Sequence, residues 1–150
     1  MSRITIDDFE AIRRDQLPFT ADFPARPEKI EAGRARFRLT YGDTMLRPGG
    51  TINGPAMMTL ADMTMYAVVM SEIGKATMAV TSHLSINFLR RPGRRDLIAE
   101  GRLLKLGRRL AFGEVTIYSD GEAGPVAHAT VTYSVPPQPL GEASRGDEVL

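Results

Sequence analysis

The segment GGTINGPAMMTLADMTMY, residues 49–66, decides the fold. A glycine-rich turn leads into an apolar run, and Pro55 suits the first turn of a helix that has Asn53 or Gly54 as its cap. We predict a helix from about 56 to about 73, where a glycine follows. Because this helix is apolar nearly all the way round, other elements of the chain must surround it.

Strand patterns on both sides of this helix predict a sheet that surrounds it. Residues 34–41 alternate between apolar and polar side chains, which is typical of a half-buried strand. Four more strand-like segments follow the helix with short breaks and predict an antiparallel sheet. The predicted fold class is therefore α+β, one domain over residues 1–150 with a curved antiparallel sheet wrapped around a long central helix. A shorter helix is predicted at about 5–17 and a mobile tail at about 136–150.

The composition excludes several classes of protein. The chain has 150 residues, of which 43% are hydrophobic and 25% charged, with a net charge of +1 and no cysteine. Without cysteine there is no disulfide, thiolate metal site or cysteine nucleophile. The charge gives no sign of a nucleic-acid or membrane partner, and the N-terminus lacks the apolar core of a secretory signal. We therefore expect a cytoplasmic enzyme or binding protein.

Asp62 is the only charged residue between Gly54 and Glu72, in the middle of the apolar helix. At helical spacing it shares a side with Thr59 and Tyr66. An ionised carboxylate in such a segment is costly unless it has a partner or faces a water-filled cleft. Two interpretations stay open at this point. Asp62 belongs to a functional site, or it makes a structural hydrogen bond, for example across a subunit contact.

The start of the same helix offers a second chemical group. Backbone N–H groups at a helix N-terminus have no acceptor within the helix, and the helix dipole favours negative charge there. A glycine lets a ligand approach the backbone closely, so the Gly54 N–H is suited to stabilise an oxyanion. About 12 Å of helix rise separates Gly54 from Asp62, which is too far for one helix to bring both groups to one carbon atom. An active site that uses both groups therefore requires two subunits.

The opening segment, together with AVTSHLSINFLRR at 79–91 and KLGRRLAFGEVTIY at 105–118, resembles a known family. These stretches are similar to the hotdog-fold acyl-CoA thioesterases of the PaaI type, and the resemblance covers roughly residues 45–135. In that family a His-Gly-Gly turn opens the central helix, and an acidic residue follows nine positions after the histidine. Here Asn53-Gly54-Pro55 occupies the turn, and Asp62 has the required spacing.

The resemblance implies an acyl-CoA thioesterase that acts as a homodimer or homotetramer without a metal or cofactor. The Gly54 amide would polarise the thioester carbonyl, and Asp62 of the other subunit would act as the base for water or as the nucleophile. Asn53 replaces the family's histidine and would orient the thioester or water by hydrogen bonding. Thr81 matches a hydroxyl near the attacking water in some relatives, although threonine is also ordinary on a strand face. Tyr66, on the same side of the helix as Asp62, is expected at the substrate.

Arginines in two predicted turns are candidates for binding the phosphates of coenzyme A. Arg90 belongs to the FLRRP stretch, and Arg108 and Arg109 belong to the LGRR stretch. Guanidinium groups bind phosphate in a forked geometry. The alternative interpretation is that these arginines only face solvent in a turn, which is the more common situation for any single arginine. Taken with the resemblance, the pattern favours contacts between these three residues and the substrate.

Two other functions share the predicted fold. A non-catalytic acyl-CoA binding or sensing protein is the first alternative, but a pure binder gains nothing from a carboxylate beside a thioester. A hydratase is the second, and the sequence has no aspartate–histidine pair at the spacing expected for it. His83 and His128 are left out of the predicted site, because a lone histidine on a strand is more often a surface or interface residue.

Overall fold

The structure, a computed structural model, describes residues 1–137. The predicted mobile tail therefore lies outside the described residues, apart from its first two positions. The elements in chain order are α1 Ile6–Gln16, a 3-10 turn Pro18–Thr20, β1 Ala25–Glu31, β2 Arg34–Leu39, a 3-10 turn Asp43–Met45, β3 Leu46–Arg47, β4 Thr51–Ile52, α2 Gly54–Ile73, β5 Val80–Phe88, β6 Leu97–Leu106, β7 Leu110–Ser119 and β8 Pro125–Ser134.

Six of these strands form one antiparallel sheet in the order β1-β2-β6-β7-β8-β5, while β3 and β4 pair in a separate small hairpin. Helix α2 contacts every strand of the large sheet, so the sheet wraps around it. Helix α1 adds to the same core through Phe9, whose ring meets Phe37 and Tyr66 edge-on. The predicted α+β class, with the hotdog arrangement of a sheet around a long central helix, is confirmed.

Local chemistry fixes both ends of α2. The Asn53 side chain caps the N-terminus, since its Oδ1 accepts a hydrogen bond of 2.7 Å from the Ala56 N–H. At the other end Gly74 has φ 87°, a conformation that residues with a Cβ rarely adopt. The helix begins at Gly54, slightly before the predicted start, because the cap is Asn53. It ends at Ile73, as predicted.

The strands differ from the prediction in number and in order. The sequence pattern predicts neither β1 nor the β3–β4 hairpin. Strand β1 reads ARPEKIE and has a register shift between Pro27 and Lys29, and such a composition is tolerated there because an edge strand pairs on one side only. In addition, β5 pairs with β8 at the opposite edge from β1, so the strands that follow α2 are not all neighbours in chain order.

Two glycines of the sheet allow α2 to lie close to it. A Cβ added at Gly101 would be 2.9 Å from Cγ2 of Thr64, a buried residue of α2. A Cβ added at Gly113 would lie 2.5 Å from Cε of Met65 and 2.6 Å from the backbone oxygen of Arg102. The backbone oxygen cannot move aside as a flexible side chain can. The close approach of the β6 backbone at Arg102 therefore requires glycine at position 113, and the Met65 side chain of α2 packs over the same position.

We predict that Gly113→Ala lowers the free energy of unfolding by about 3 kcal/mol, because the new methyl group collides with the backbone oxygen of Arg102 on β6 and with Met65 on α2. Urea denaturation measures the change. Gly42→Ala is the matched control: nothing lies within 4 Å of an added Cβ there, and its φ of −170° is extended backbone. The control should change stability by less than about 1 kcal/mol. Equal effects at the two positions would contradict the close approach.

Candidate active site

Asp62 lies half-buried on α2 and accepts two hydroxyl hydrogen bonds. Thr81 Oγ1 donates to Asp62 Oδ1 at 2.6 Å, and the Tyr133 hydroxyl donates to the same oxygen at 2.7 Å. Among residues 1–137 no basic side chain forms an ion pair with Asp62. Hydroxyl groups therefore stabilise the charge of this carboxylate, and the structure brings together Asp62 and Thr81 of the predicted site.

Tyr133, near the end of β8, is a candidate site residue that the sequence did not reveal. The residue is only 3% exposed, and its ring stacks on that of Tyr66, with centroids 5.8 Å apart and an interplanar angle of 12°. Burial and the nearby Asp62 carboxylate raise the pKa of the Tyr133 hydroxyl, so it remains a protonated donor near neutral pH. The available signal was its strand alternation with Val131 and Ala129, since a tyrosine buried in this way needs a hydrogen-bond partner.

Tyr66 lies behind Tyr133 and not at an open surface. Its hydroxyl donates to the carbonyl oxygen of Thr77 at 2.9 Å, and the residue is 7% exposed. Burial also raises the pKa of this hydroxyl. Within one chain, Tyr66 therefore stacks on the ring of Tyr133, and its hydroxyl is already hydrogen-bonded.

The N-terminus of α2 presents the Gly54 N–H. Gly54 is the first helical residue, so no carbonyl of the helix lies four residues earlier to accept this hydrogen, and Pro55 carries no N–H. The Asn53 Oδ1 is engaged in the cap, which leaves its side-chain NH₂ group to orient a substrate or water. The ring of Phe88 covers this turn, because a Cβ added at Gly54 would be 3.3 Å from its Cζ atom.

A groove of about 450 Å³ opens beside Gly54. Its lining residues are Arg47, Thr51, Ile52, Gly54, Met57, Phe88, Leu89, Arg90, Arg91 and Pro92. Apolar side chains and three guanidinium groups share this lining, which suits a ligand with both apolar and anionic parts. The Arg90 guanidinium itself lies against the β7–β8 turn at Gly124, where an added Cβ would collide with it.

The carboxylate and the helix N-terminus lie near opposite ends of β5. Thr81, which donates to Asp62, pairs with Tyr133 at the end of β8. Phe88, which covers the helix N-terminus, pairs with Ala127 near the start of β8. At about 3.3 Å per residue, roughly 23 Å of strand separates Thr81 from Phe88. One chain therefore carries two half-sites, which we call the carboxylate half-site and the amide half-site.

The predicted phosphate-binding arginines divide between these half-sites. Arg108 and Arg109 are exposed in the β6–β7 turn, where the Arg109 carbonyl accepts from the Val135 N–H at 2.8 Å. This turn leads into β7 beside Tyr133, at the carboxylate half-site. Arg90 lies at the amide half-site, so one chain does not bring the three together. None of the three forms an ion pair within the described residues, whereas several arginines of the sheet do.

The part of the chain that the structure describes contains no cluster of three or more histidine, aspartate or glutamate side chains that could hold a metal ion. In the same part of the chain no helix has the length and hydropathy needed to cross a membrane.

Residues 49–133 match the family model of the thioesterase superfamily. A Saccharolobus solfataricus protein named a putative esterase is 30% identical over 109 residues, which are 72% of this chain and 71% of the relative. A solved structure from a Silicibacter species, named a putative thioesterase, is 37% identical with a TM-score of 0.81, covering 91% of this chain and 95% of its own. A mutant of the phenylacetic acid degradation protein PaaI from Thermus thermophilus shares the fold at 24% identity and a TM-score of 0.69, covering 78% of this chain and 97% of its own. The chain therefore belongs to the thioesterase superfamily.

Proposed function

We propose that this chain is a cytoplasmic acyl-CoA thioesterase, which hydrolyses the thioester to a free acid and coenzyme A. Its family supports ester or thioester hydrolysis in general. The observation that carries the finer proposal is the Asp62 carboxylate, which two hydroxyl donors orient at one end of β5. The other end of the same strand lies beside the free N–H of a helix N-terminus.

A second copy of the chain completes the site in this proposal. Strand β5 is an edge strand, and most of it is exposed in the single chain, including Val80 at 57% and Phe88 at 47%. Met58 on α2 is also 41% exposed. A long exposed edge with apolar side chains is a template for pairing with another strand. Pairing of β5 with β5 of an identical chain about a two-fold axis covers this edge.

Such a two-fold pairing joins opposite half-sites. Two β5 strands that run antiparallel place the Thr81 end of one against the Phe88 end of the other. The Asp62 carboxylate of one chain and the Gly54 N–H of its partner then lie at the same end of the paired β5 strands. A homodimer built in this way has two equivalent sites, and a tetramer of two such dimers retains them.

The proposed reaction uses one group from each half-site. The Gly54 N–H of one chain donates to the thioester carbonyl and stabilises the oxyanion that forms. Asp62 of the other chain takes a proton from water as the water oxygen attacks the carbonyl carbon. The C–S bond then breaks, and the coenzyme A thiolate leaves and takes up a proton. Direct attack by Asp62, followed by hydrolysis of the anhydride, yields the same acid and thiol.

Other predicted residues assist this reaction. The Thr81 hydroxyl orients Asp62, and the free NH₂ group of Asn53 orients the thioester or the water. In the two-fold dimer, Arg90 of one chain and Arg108 and Arg109 of the other lie at the same composite site. We propose that they bind the phosphates of coenzyme A, which guanidinium groups suit geometrically.

We predict that Asp62→Asn keeps the fold but lowers kcat at least about 10²-fold, because asparagine still accepts the two hydrogen bonds and cannot take the proton. Free-thiol release from a panel of acyl-CoAs measures the loss, and thermal unfolding checks the fold. Asp22→Asn, at an exposed position, is the control and should turn over like the wild type. Near-wild-type hydrolysis by Asp62→Asn would reject the mechanism. If the wild-type protein binds acyl-CoA but releases no thiol, the result would favour a non-catalytic acyl-CoA binding protein.

A subunit-complementation experiment tests the composite site. Gly54→Pro removes the N–H, and the backbone accepts proline here because Asn53 is already extended, at φ −75° and ψ 161°. We predict that Asp62→Asn and Gly54→Pro homodimers are each nearly inactive. A heterodimer of the two has one intact site and one doubly defective site, so it should regain about half of the wild-type activity. Purification through two affinity tags isolates this heterodimer. No recovery would mean that both groups act within one chain.

We predict that replacing Arg108 and Arg109 together by alanine raises KM for acyl-CoA far more than it lowers kcat, because phosphate contacts bind ground and transition states alike. An acyl-N-acetylcysteamine, which lacks the nucleotide, should be nearly indifferent to the change. Arg34→Ala, on the exposed side of β2, is the control. The effect on acyl-CoA should shrink at high salt. Equal losses with both substrates would show that the two arginines are structural.

A further inference from the structure

We infer that Tyr133 is a positioning residue that directs one oxygen of Asp62, Oδ2, towards the reacting water or carbonyl carbon. This inference rests on the proposed function. Both hydroxyl donors, from Thr81 and Tyr133, converge on Oδ1. Within residues 1–137 no donor is hydrogen-bonded to Oδ2, and Oδ2 is not among the buried atoms without a partner, so it is at least partly accessible to solvent. A carboxylate whose first oxygen is doubly hydrogen-bonded offers its second oxygen for reaction.

Packing fixes the position of the Tyr133 hydroxyl. Its ring is buried and stacks on Tyr66, whose own hydroxyl is held by the carbonyl oxygen of Thr77. The Tyr133 hydroxyl also lies 3.1 Å from the backbone oxygen of Asp62. One hydroxyl therefore contacts both the backbone and the side chain of the same residue. This geometry fixes the rotamer of Asp62 relative to α2. A reacting carboxylate requires such a defined position.

The groups around this hydroxyl keep it in its donor form. Burial and the Asp62 carboxylate raise the pKa of Tyr133. The titratable groups that face it are Asp62 and Tyr66, both from α2, while Thr81 from β5 and the Phe9 ring of α1 behind Tyr66 are neutral. Neutral hydroxyl donors orient the carboxylate and leave its negative charge in place. A paired arginine or lysine would instead neutralise that charge.

Tyr133→Phe tests this role because it keeps the stacked ring and removes only the hydroxyl. We expect kcat to fall about tenfold to a hundredfold with KM nearly unchanged, which is the effect of losing a hydrogen bond to a charged group. Ser71→Ala, which loses a buried hydroxyl bond elsewhere on α2, should lower stability and change neither quantity.

Further variants separate this inference from the proposed function. Adding Tyr133→Phe to Asp62→Asn should cause no further loss, because the two residues act through one carboxylate. If Tyr133→Phe does not fold, Thr81→Val removes the other donor to Oδ1 and should give the same kcat-specific loss. A Tyr133→Phe kcat within about twofold of wild type, together with an inactive Asp62→Asn, overturns the positioning role alone. Wild-type turnover by Asp62→Asn overturns the proposed function and this inference together.

Discussion

The continuity of α2 is the constraint on which the rest of the site depends. The helix runs unbroken from Gly54 to Ile73 inside the sheet, so its first N–H and its carboxylate keep a separation of about 12 Å along the axis. The cap at Asn53 and the tight packing at Gly113 hold the helix in place. No rearrangement within one chain brings the two groups to one carbon atom. A catalytic site that needs both groups must therefore be assembled from two chains, and we propose that the uncovered β5 edge is the surface that joins them.

The contacts of the carboxylate on this helix fit both interpretations that the sequence leaves open. Asp62 makes hydrogen bonds within its own chain, which is what a structural role requires. It is also half-buried, with both donors on one oxygen and the other oxygen open, which is what a chemical role requires. The two roles are compatible, because the donors that offset the cost of burying the charge also orient it.

Patterns that are local in sequence predicted the elements best. The central helix follows from a long apolar run with a polar cap and a terminal glycine, and β6, β7 and β8 follow from alternation between short turns. The sequence did not predict strand β1, because its composition includes a proline and several charges. A sheet tolerates these residues in an edge strand, and the edge position is known only from the tertiary structure. The same limit explains the arginines. Arg90 and Arg108 both lie near strand ends, and only the sheet topology shows that these ends are opposite.

The site itself was predictable only in part. The spacing of Asp62 from the turn at Asn53 came from the family resemblance, and the contact with Thr81 depends on β5 crossing to the far edge of the sheet. Tyr133 was missed because a tyrosine in an alternating strand is ordinary. Its significance arises from the pairing of β8 with β5, which carries its hydroxyl to Asp62 over a long sequence separation.

Active-enzyme sedimentation tests the central claim most directly, since it measures hydrolysis and the size of the hydrolysing species at once. A thin band of protein sediments through a solution of acyl-CoA and a thiol reagent, and the boundary of released thiol moves with the active molecule. The chain has a mass of 16.5 kDa. The account predicts a boundary that moves as a dimer or a larger assembly of this chain. A boundary that moves with the 16.5 kDa monomer would contradict it.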